Sequence, residues 1–172
     1  LLADQALYSS YQLNLENLPY NVLDRTFIAT VAKGPMVLVS DPKLGWETLD
    51  DAIADAKENP EDFVWAGLGG SSAGDFVLYQ FFSESGIDIS KTKKLTYSGG
   101  GEIMTAVAGG HAKFGVSAAS GVPSFSTSGM VKPLVVSGDS RVKVLGDVPS
   151  AAEVGYPGIN IGFWVGLSGP PN

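Results

Sequence analysis

Residues 63–82 read FVWAGLGGSSAGDFVLYQFF. The segment opens on Phe63-Val64-Trp65-Ala66, a short apolar run rich in strand formers. Gly67, Gly69, Gly70, Ser71, Ser72 and Gly74 follow. Gly74, Val77, Leu78, Phe81 and Phe82 then recur at i, i+3, i+4, i+7 and i+8, the spacing of one helical face. Strand, glycine-serine turn and helix in that order aim unpaired backbone N–H groups at an anion. The first amides of a helix have no intrahelical partner, and the macrodipole adds partial positive charge there. Glycines let a ligand approach the main chain, and serine hydroxyls add donors. The segment therefore reads as a carboxylate or phosphate site, or as an ordinary strand-to-helix turn with Ser72 as N-cap.

Outward from this segment, strands and helices alternate. Towards the N-terminus, 27–31 and 36–40 are strand-like, split by Lys33-Gly34-Pro35. A helix begins at Thr48 with a capping-box pattern, Asp51 standing where Glu or Gln is usual, and stops at Asn59-Pro60. Towards the C-terminus, 94–97 is a strand that runs into Ser98-Gly99-Gly100-Gly101-Glu102 and a short helix, 103–108. Strand 114–118 leads to Ala119-Ser120-Gly121 and a helical piece near 123–128. Strands at 133–137 and 161–167 flank Ser150-Ala151-Ala152-Glu153, a capping box on a brief helix. Residues 1–26 show little pattern beyond a turn at Leu18-Pro19-Tyr20-Asn21. The alternation predicts an α/β sandwich with a largely parallel sheet. In such sheets ligands bind beyond the carboxyl ends of the strands. The turns at 67–74, 98–102 and 118–121 all fall there.

Composition narrows the function classes. Hydrophobic content of 44% with 17% charged residues describes a folded chain. A net charge of −7 argues against nucleic acid and anionic membrane surfaces as partners. No apolar run reaches the length of a bilayer span, so direct membrane insertion is not expected. The chain has no cysteine, which removes thiolate catalysis and Cys-ligated metals. No metal site or cofactor is expected; the acidic group Asp50, Asp51 and Asp55 reads as a solvated helix start. The chain lacks an initiator Met and is expected to be a fragment, with any signal peptide outside it.

Gly70-Ser71-Ser72-Ala73-Gly74 fits G-x-S-x-G, the nucleophile elbow, and makes a serine hydrolase using Ser72 one alternative. Its base would have to be His111, the single histidine, 39 residues on in a Gly-Gly turn. The glycine run at 99–101 lacks the Gly-Lys-Ser/Thr ending of a P-loop, and Ser72 interrupts the dinucleotide pattern opened by Gly67-Leu68-Gly69. Phe76, Tyr79, Phe81 and Phe82 read as core, with some of them flooring the crevice. A ligand-sensing regulatory domain is a further alternative.

An ordered set of segments resembles one family. Leu18-Pro19-Tyr20-Asn21 before Phe27-Ile28-Ala29, Val37-Leu38-Val39-Ser40-Asp41-Pro42, the helix over 48–60, the loop from Gly67 to Phe76, Tyr97-Ser98-Gly99-Gly100-Gly101-Glu102 and Ala108-Gly109-Gly110-His111 carry it. So do Ser140-Arg141, Leu145-Gly146-Asp147-Val148-Pro149-Ser150 and Glu153-Val154-Gly155-Tyr156-Pro157. Together they are similar to the periplasmic solute-binding receptors of tripartite tricarboxylate transporters, the TctC or Bug family. The resemblance implies a two-lobed type II periplasmic-binding-protein fold, here one complete lobe and part of the second. It implies a partial first lobe and first crossover over 1–40, a ligand-binding lobe over 41–136, and a second crossover with more of the first lobe over 137–172. The crossings would lie near 33–39 and 136–141. It implies a non-enzymatic, extracytoplasmic receptor that delivers a small organic carboxylate to membrane transporter subunits. The ligand-facing residues implied are Gly69, Gly70, Ser71, Ser72, Gly99, Gly100, Gly101 and Ser120, with Asp75 accepting a ligand hydrogen bond. Two positions depart from the family pattern: Phe76 where His would follow Asp75, and Lys113 where an Asp is frequent.

Overall fold

The computed structural model of the protein describes residues 2–4, 21, 24–69 and 72–170. Its strands are β1 (Leu2–Asp4), β2 (Thr26–Ser40), β3 (Val64–Gly67), β4 (Lys93–Thr96), β5 (Phe114–Ala118), β6 (Lys132–Val136) and β7 (Gly162–Gly169). Its helices are α1 (Leu49–Glu58), α2 (Ala73–Ser85), α3 (Gly100–Ala108) and the single turn α4 (Pro123–Ser126). The turn at Leu18-Pro19-Tyr20-Asn21 lies almost wholly outside the described residues.

Lys33-Gly34-Pro35 does not break β2. One strand of 15 residues runs through it, because this is where β2 changes partners. Up to Pro35 it pairs antiparallel with β7, ending at Gly34↔Phe163 and Pro35↔Gly162. From Met36 it pairs antiparallel with β5 and, from Val37, with β6. A proline is tolerated at such a change-over because the missing N–H falls where one ladder ends and the next begins. Ser137 ties the junction. Its hydroxyl accepts the Met36 N–H at 2.9 Å and donates to the Ile161 carbonyl at 2.8 Å.

The sheet expected to be largely parallel is mixed. β3 pairs parallel with β4 and with β5, whereas β2 runs antiparallel to both its neighbours, β5 and β6. The reason lies in the register. Met36 faces Ala118, the last residue of β5, so the chain enters this sheet at the carboxyl end of its parallel strands. A strand entering there must run the opposite way. β6 leaves from the same end, at Val136, into the Ser137 junction. Both connections between the two pairing regions therefore meet where the glycine-rich turns lie.

Alternation along β2 divides the core. Met36 and Leu38 pack with Trp65, Phe114 and Val116 under α1 and α2. Val37 and Val39 pack with Ala66 and Val136 under α3. Aromatic rings fill the first layer: Phe63 lies 6.0 Å from Trp46 and 5.8 Å from Phe114, centroid to centroid. Gly115 lets α3 close on β5, since a Cβ there would stand 2.8 Å from Ile103 Cγ2.

The capping signals hold, with one difference. Thr48 accepts the Asp51 N–H at 3.3 Å while the Asp51 carboxylate accepts the Thr48 N–H at 2.8 Å. Ser150 and Glu153 make the same reciprocal bonds at 3.3 and 2.8 Å, but a run of turns follows in place of the brief helix. Gly155 closes that run at φ +90°, so the box caps turns that never reach helical length.

Asp50, in the first turn of α1, accepts the Tyr156 hydroxyl at 2.6 Å. That hydrogen bond, with smaller contributions from burial and the carboxylate charge, pushes the Tyr156 phenol up to about 12. A raised folded value means that the contribution to stability is complete below the ordinary phenol range near 10 and is lost as pH climbs through about 12. In a spectrophotometric titration, Tyr156→Phe is expected to remove a phenol that titrates near 12. Asp50→Asn is expected to bring that phenol back towards 10. An unchanged titration curve in both variants would contradict the assignment.

Candidate functional site

The turns after β3, β4 and β5 gather at the end of the sheet where β2 enters. A cavity of about 270 Å³ opens there, at the small end of the range for small-ligand sites. Its walls come from Ser72, Ala73 and Gly74 at the start of α2, Gly100 at the start of α3, and Val116, Ser117 and Ala118 at the end of β5. The opposite side is Phe163, Trp164 and Val165 of β7, which belongs to the other pairing region. The cavity thus lies where both sets of strands meet.

Helix geometry supplies its donors. Ala73 and Gly74 are the first two residues of α2, and Gly100 and Gly101 the first two of α3. Amides at these positions cannot bond within their own helix. Ala73, Gly74 and Gly100 face the cavity. Gly74 is buried, and a Cβ there would stand 3.0 Å from Val116 Cγ1, so glycine lets the helix start close against β5.

Ser72 and Asp75 form a capping box that fixes the loop. The Ser72 hydroxyl donates to the Asp75 carboxylate at 2.7 Å and accepts the Asp75 N–H at 3.1 Å. The same carboxylate accepts the Ser72 N–H at 3.4 Å and the Leu68 N–H at 2.9 Å. The Lys94 ammonium donates to it at 3.1 Å and lies over the Trp65 ring, 5.0 Å from its centroid. Asp75 is 0% exposed. Its acceptors are engaged inside the protein, so the structure gives it a positioning role in place of the ligand contact expected of it. Glu102 acts alike at the second turn, accepting the Ser98 N–H at 2.9 Å.

Of the residues singled out from sequence, Ser72 and Gly100 line the cavity. Gly69 is exposed at φ +100°, a conformation that favours glycine. Gly99 is the extended N-cap of α3, and Gly101 is exposed in its first turn. Ser120 is exposed in the turn beyond β5 and is not among the cavity walls. Gly70 and Ser71 lie outside the described residues. Phe81 and Phe82 are core, and Phe76 stacks edge-on against Tyr79; none of the four floors the cavity. Ser117 and the β7 residues went unnoticed in the sequence. Ser117 is 6% exposed, lines the cavity, and has no hydrogen-bond partner for its hydroxyl among the described residues.

The two departures from the family pattern are packed structurally. Lys113 pairs with Asp55 of α1 at 2.7 Å, at the amino end of β5 and so away from the cavity. His111 follows the carboxyl end of α3, whose amino end is the one at the cavity, so the helix separates it from Ser72 by roughly 13 Å of rise. The proton relay that the nucleophile-elbow alternative needs is not assembled. No group of three or more potential metal ligands occurs among the described residues, and no described helix is long and apolar enough to cross a membrane.

Comparison with known proteins identifies relatives of this architecture. A family described as "Tripartite tricarboxylate transporter family receptor" matches residues 5–172. Protein BugT of Bordetella pertussis is 28% identical over 159 residues, covering 91% of this chain and 47% of its own. MatC of Rhodopseudomonas palustris, solved with bound malate, superposes with a TM-score of 0.87 at 20% identity over 99% of this chain and 57% of its own. Rpa4515 of the same organism, solved with adipate, gives 0.89 at 20% identity over 98% and 56%. The two structures share the fold, and the chain spans about half the length of all three relatives.

Proposed function

Because the chain belongs to the tripartite tricarboxylate transporter receptor family, a family of receptors and not of enzymes, we propose that it forms part of the ligand cleft of an extracytoplasmic receptor for a small organic carboxylate. The observation that carries this reading is the convergence of two helix amino ends on one cavity that has no charged wall among its described residues. Neutral donors of this kind hold a carboxylate without burying a permanent cation, which suits a protein that must also release its cargo. The malate and adipate bound by the two structural relatives are consistent with it.

The donors proposed are the amides of Ala73, Gly74 and Gly100, with Ser72 and the glycines Gly69, Gly99 and Gly101 shaping the loops. Segment 41–136, together with the Met36–Ser40 part of β2 that pairs with β5 and β6, is the ligand lobe, and the segments before and after contribute to the other. Closure bends the two connections near 33–39 and 136–141, which Ser137 ties together. Membrane transporter subunits receive the bound acid in the periplasm.

Gly100→Val in the full-length protein tests the site. A Cβ at Gly100 already stands 3.1 Å from Ser117 Oγ, and a branched side chain fills the space between the two helix ends. Carboxylate affinity, measured calorimetrically, is expected to fall at least about tenfold, the loss of roughly one charge-assisted hydrogen bond. Wild-type protein whose melting temperature responds to no mono-, di- or tricarboxylate would overturn the reading.

A further inference from the structure

We infer that the ligand is a monocarboxylate with an apolar body, held at its acid end by the Ser117 hydroxyl; this rests on the receptor reading above and narrows it. Ser117, near the end of β5, places a side-chain donor at the cavity apart from the helix ends. It is buried to all but 6%, it borders the cavity, and its hydroxyl has no partner among the described residues. Its oxygen lies 3.1 Å from where a Cβ of Gly100 would be and 3.3 Å from where one of Gly121 would be. Two glycines thus leave room beside a polar atom that the fold itself does not use. The oxygen is not sealed within the fold, so it is open to a guest that enters the cavity. A carboxylate accepting from it and from the amides at the two helix starts satisfies all of them at once.

The rest of the cavity dictates the rest of the molecule. Beyond Ser72, Ser117 and two glycines, all the lining side chains are apolar, with Met36 and Val116 on one side and Phe163, Trp164 and Val165 on the other. None is charged. Of the nearby cations, Lys94 holds Asp75 from beneath the loop, and Lys33 lines a neighbouring hollow with Phe27, Thr30 and Trp164. A second carboxylate pressed against this wall would lose its hydration with no compensating charge. An aromatic or alicyclic body gains from the same wall. This wall therefore favours a ring-bearing or otherwise apolar monoacid over the dicarboxylates seen in the structural relatives.

The test uses the full-length protein and isothermal calorimetry with benzoate, cyclohexanecarboxylate, malate, adipate and citrate. Either ring acid is expected to bind at least about tenfold more tightly than any of the three polyacids. Ser117→Ala is expected to weaken that binding about tenfold while leaving the melting temperature of the unliganded protein unchanged or slightly raised, because it removes a hydroxyl that bonds to nothing in the fold. A structural role for Ser117 would instead lower that melting temperature. Tighter binding of malate, adipate or citrate, or an unaltered dissociation constant in Ser117→Ala, would overturn this inference and leave the receptor reading standing. Binding of none of the five would overturn both.

Discussion

Phe63→Ala is expected to destabilise the full-length protein by about 4 kcal/mol, the cost typical of emptying a fully buried phenylalanine site. Phe63 is 0% exposed and joins four other rings that no single element brings together. Trp46 precedes α1 and stacks on it at 6.0 Å; Phe81 and Phe82 come from α2, at 6.5 and 6.2 Å; Phe114 opens β5, at 5.8 Å. Its carbonyl accepts the Lys93 N–H at 3.1 Å, where β4 begins beside β3. Collapse into the vacated space is hindered, because the surrounding rings are themselves held by strands and helices. Phe63→Leu keeps most of the volume and is expected to cost less, about 1–2 kcal/mol, chiefly the lost ring contacts. Denaturant unfolding measures both. Carboxylate affinity below the transition is expected to be nearly unaltered in each, since the site lies at the other end of β3. A loss under about 1 kcal/mol in Phe63→Ala would show that this aromatic layer repacks freely.

How far the sequence could be read follows from which interactions are local. Ser72, the αL glycine Gly86 and the helical spacing of Val77, Leu78, Phe81 and Phe82 all fall within one short run of chain, 72–86, and α2 is legible from them. The strand-turn-helix arrangement placed Gly100 and Ser72 at one end of the sheet by the general rule for strand ends. Asp75 was visible as the third residue after Ser72, the spacing of a capping box. Reading it as a ligand contact overlooked that its partners, Leu68 and Lys94, approach from outside the helix. Ser117 gave no local signal, because β5 is buried on both faces and period-2 alternation does not mark which side borders a cavity. Phe163 and Trp164 reach the site only through the pairing of β7 with β2, across more than 120 residues of chain. Pro35 looked like a break for the same reason. The exchange of strand partners that accommodates it is a property of two sheets, and no window of neighbouring residues contains it.

Asp75→Ala is the change expected to damage stability and binding together. One carboxylate, fully buried, collects the Leu68 N–H, the Ser72 N–H, the Ser72 hydroxyl and the Lys94 ammonium. Removing it leaves two main-chain donors of the loop without their partner, at about 1–3 kcal/mol for each that water cannot reach. Lys94 is 25% exposed at its side chain and can turn towards water, so its share is well below that of a wholly buried pair. A total near 3 kcal/mol follows, read from denaturant midpoints. Binding is expected to weaken at least about tenfold, because the amides of Ala73 and Gly74 are aimed by the box that Asp75 closes. Lys94→Met separates the two contributions. It takes away the charge and leaves the three loop hydrogen bonds, so stability is expected to fall by about 1 kcal/mol with carboxylate affinity little altered. Gly67→Ala attacks the clamp from a third direction: its methyl would stand 2.7 Å from the Asp75 carboxylate and force it aside. If Asp75→Ala left both the unfolding midpoint and the affinity at wild-type values, the loop would be held by something other than this carboxylate. If Lys94→Met cost as much binding as Asp75→Ala, the ammonium itself, and not the geometry it supports, would be what attracts the acid.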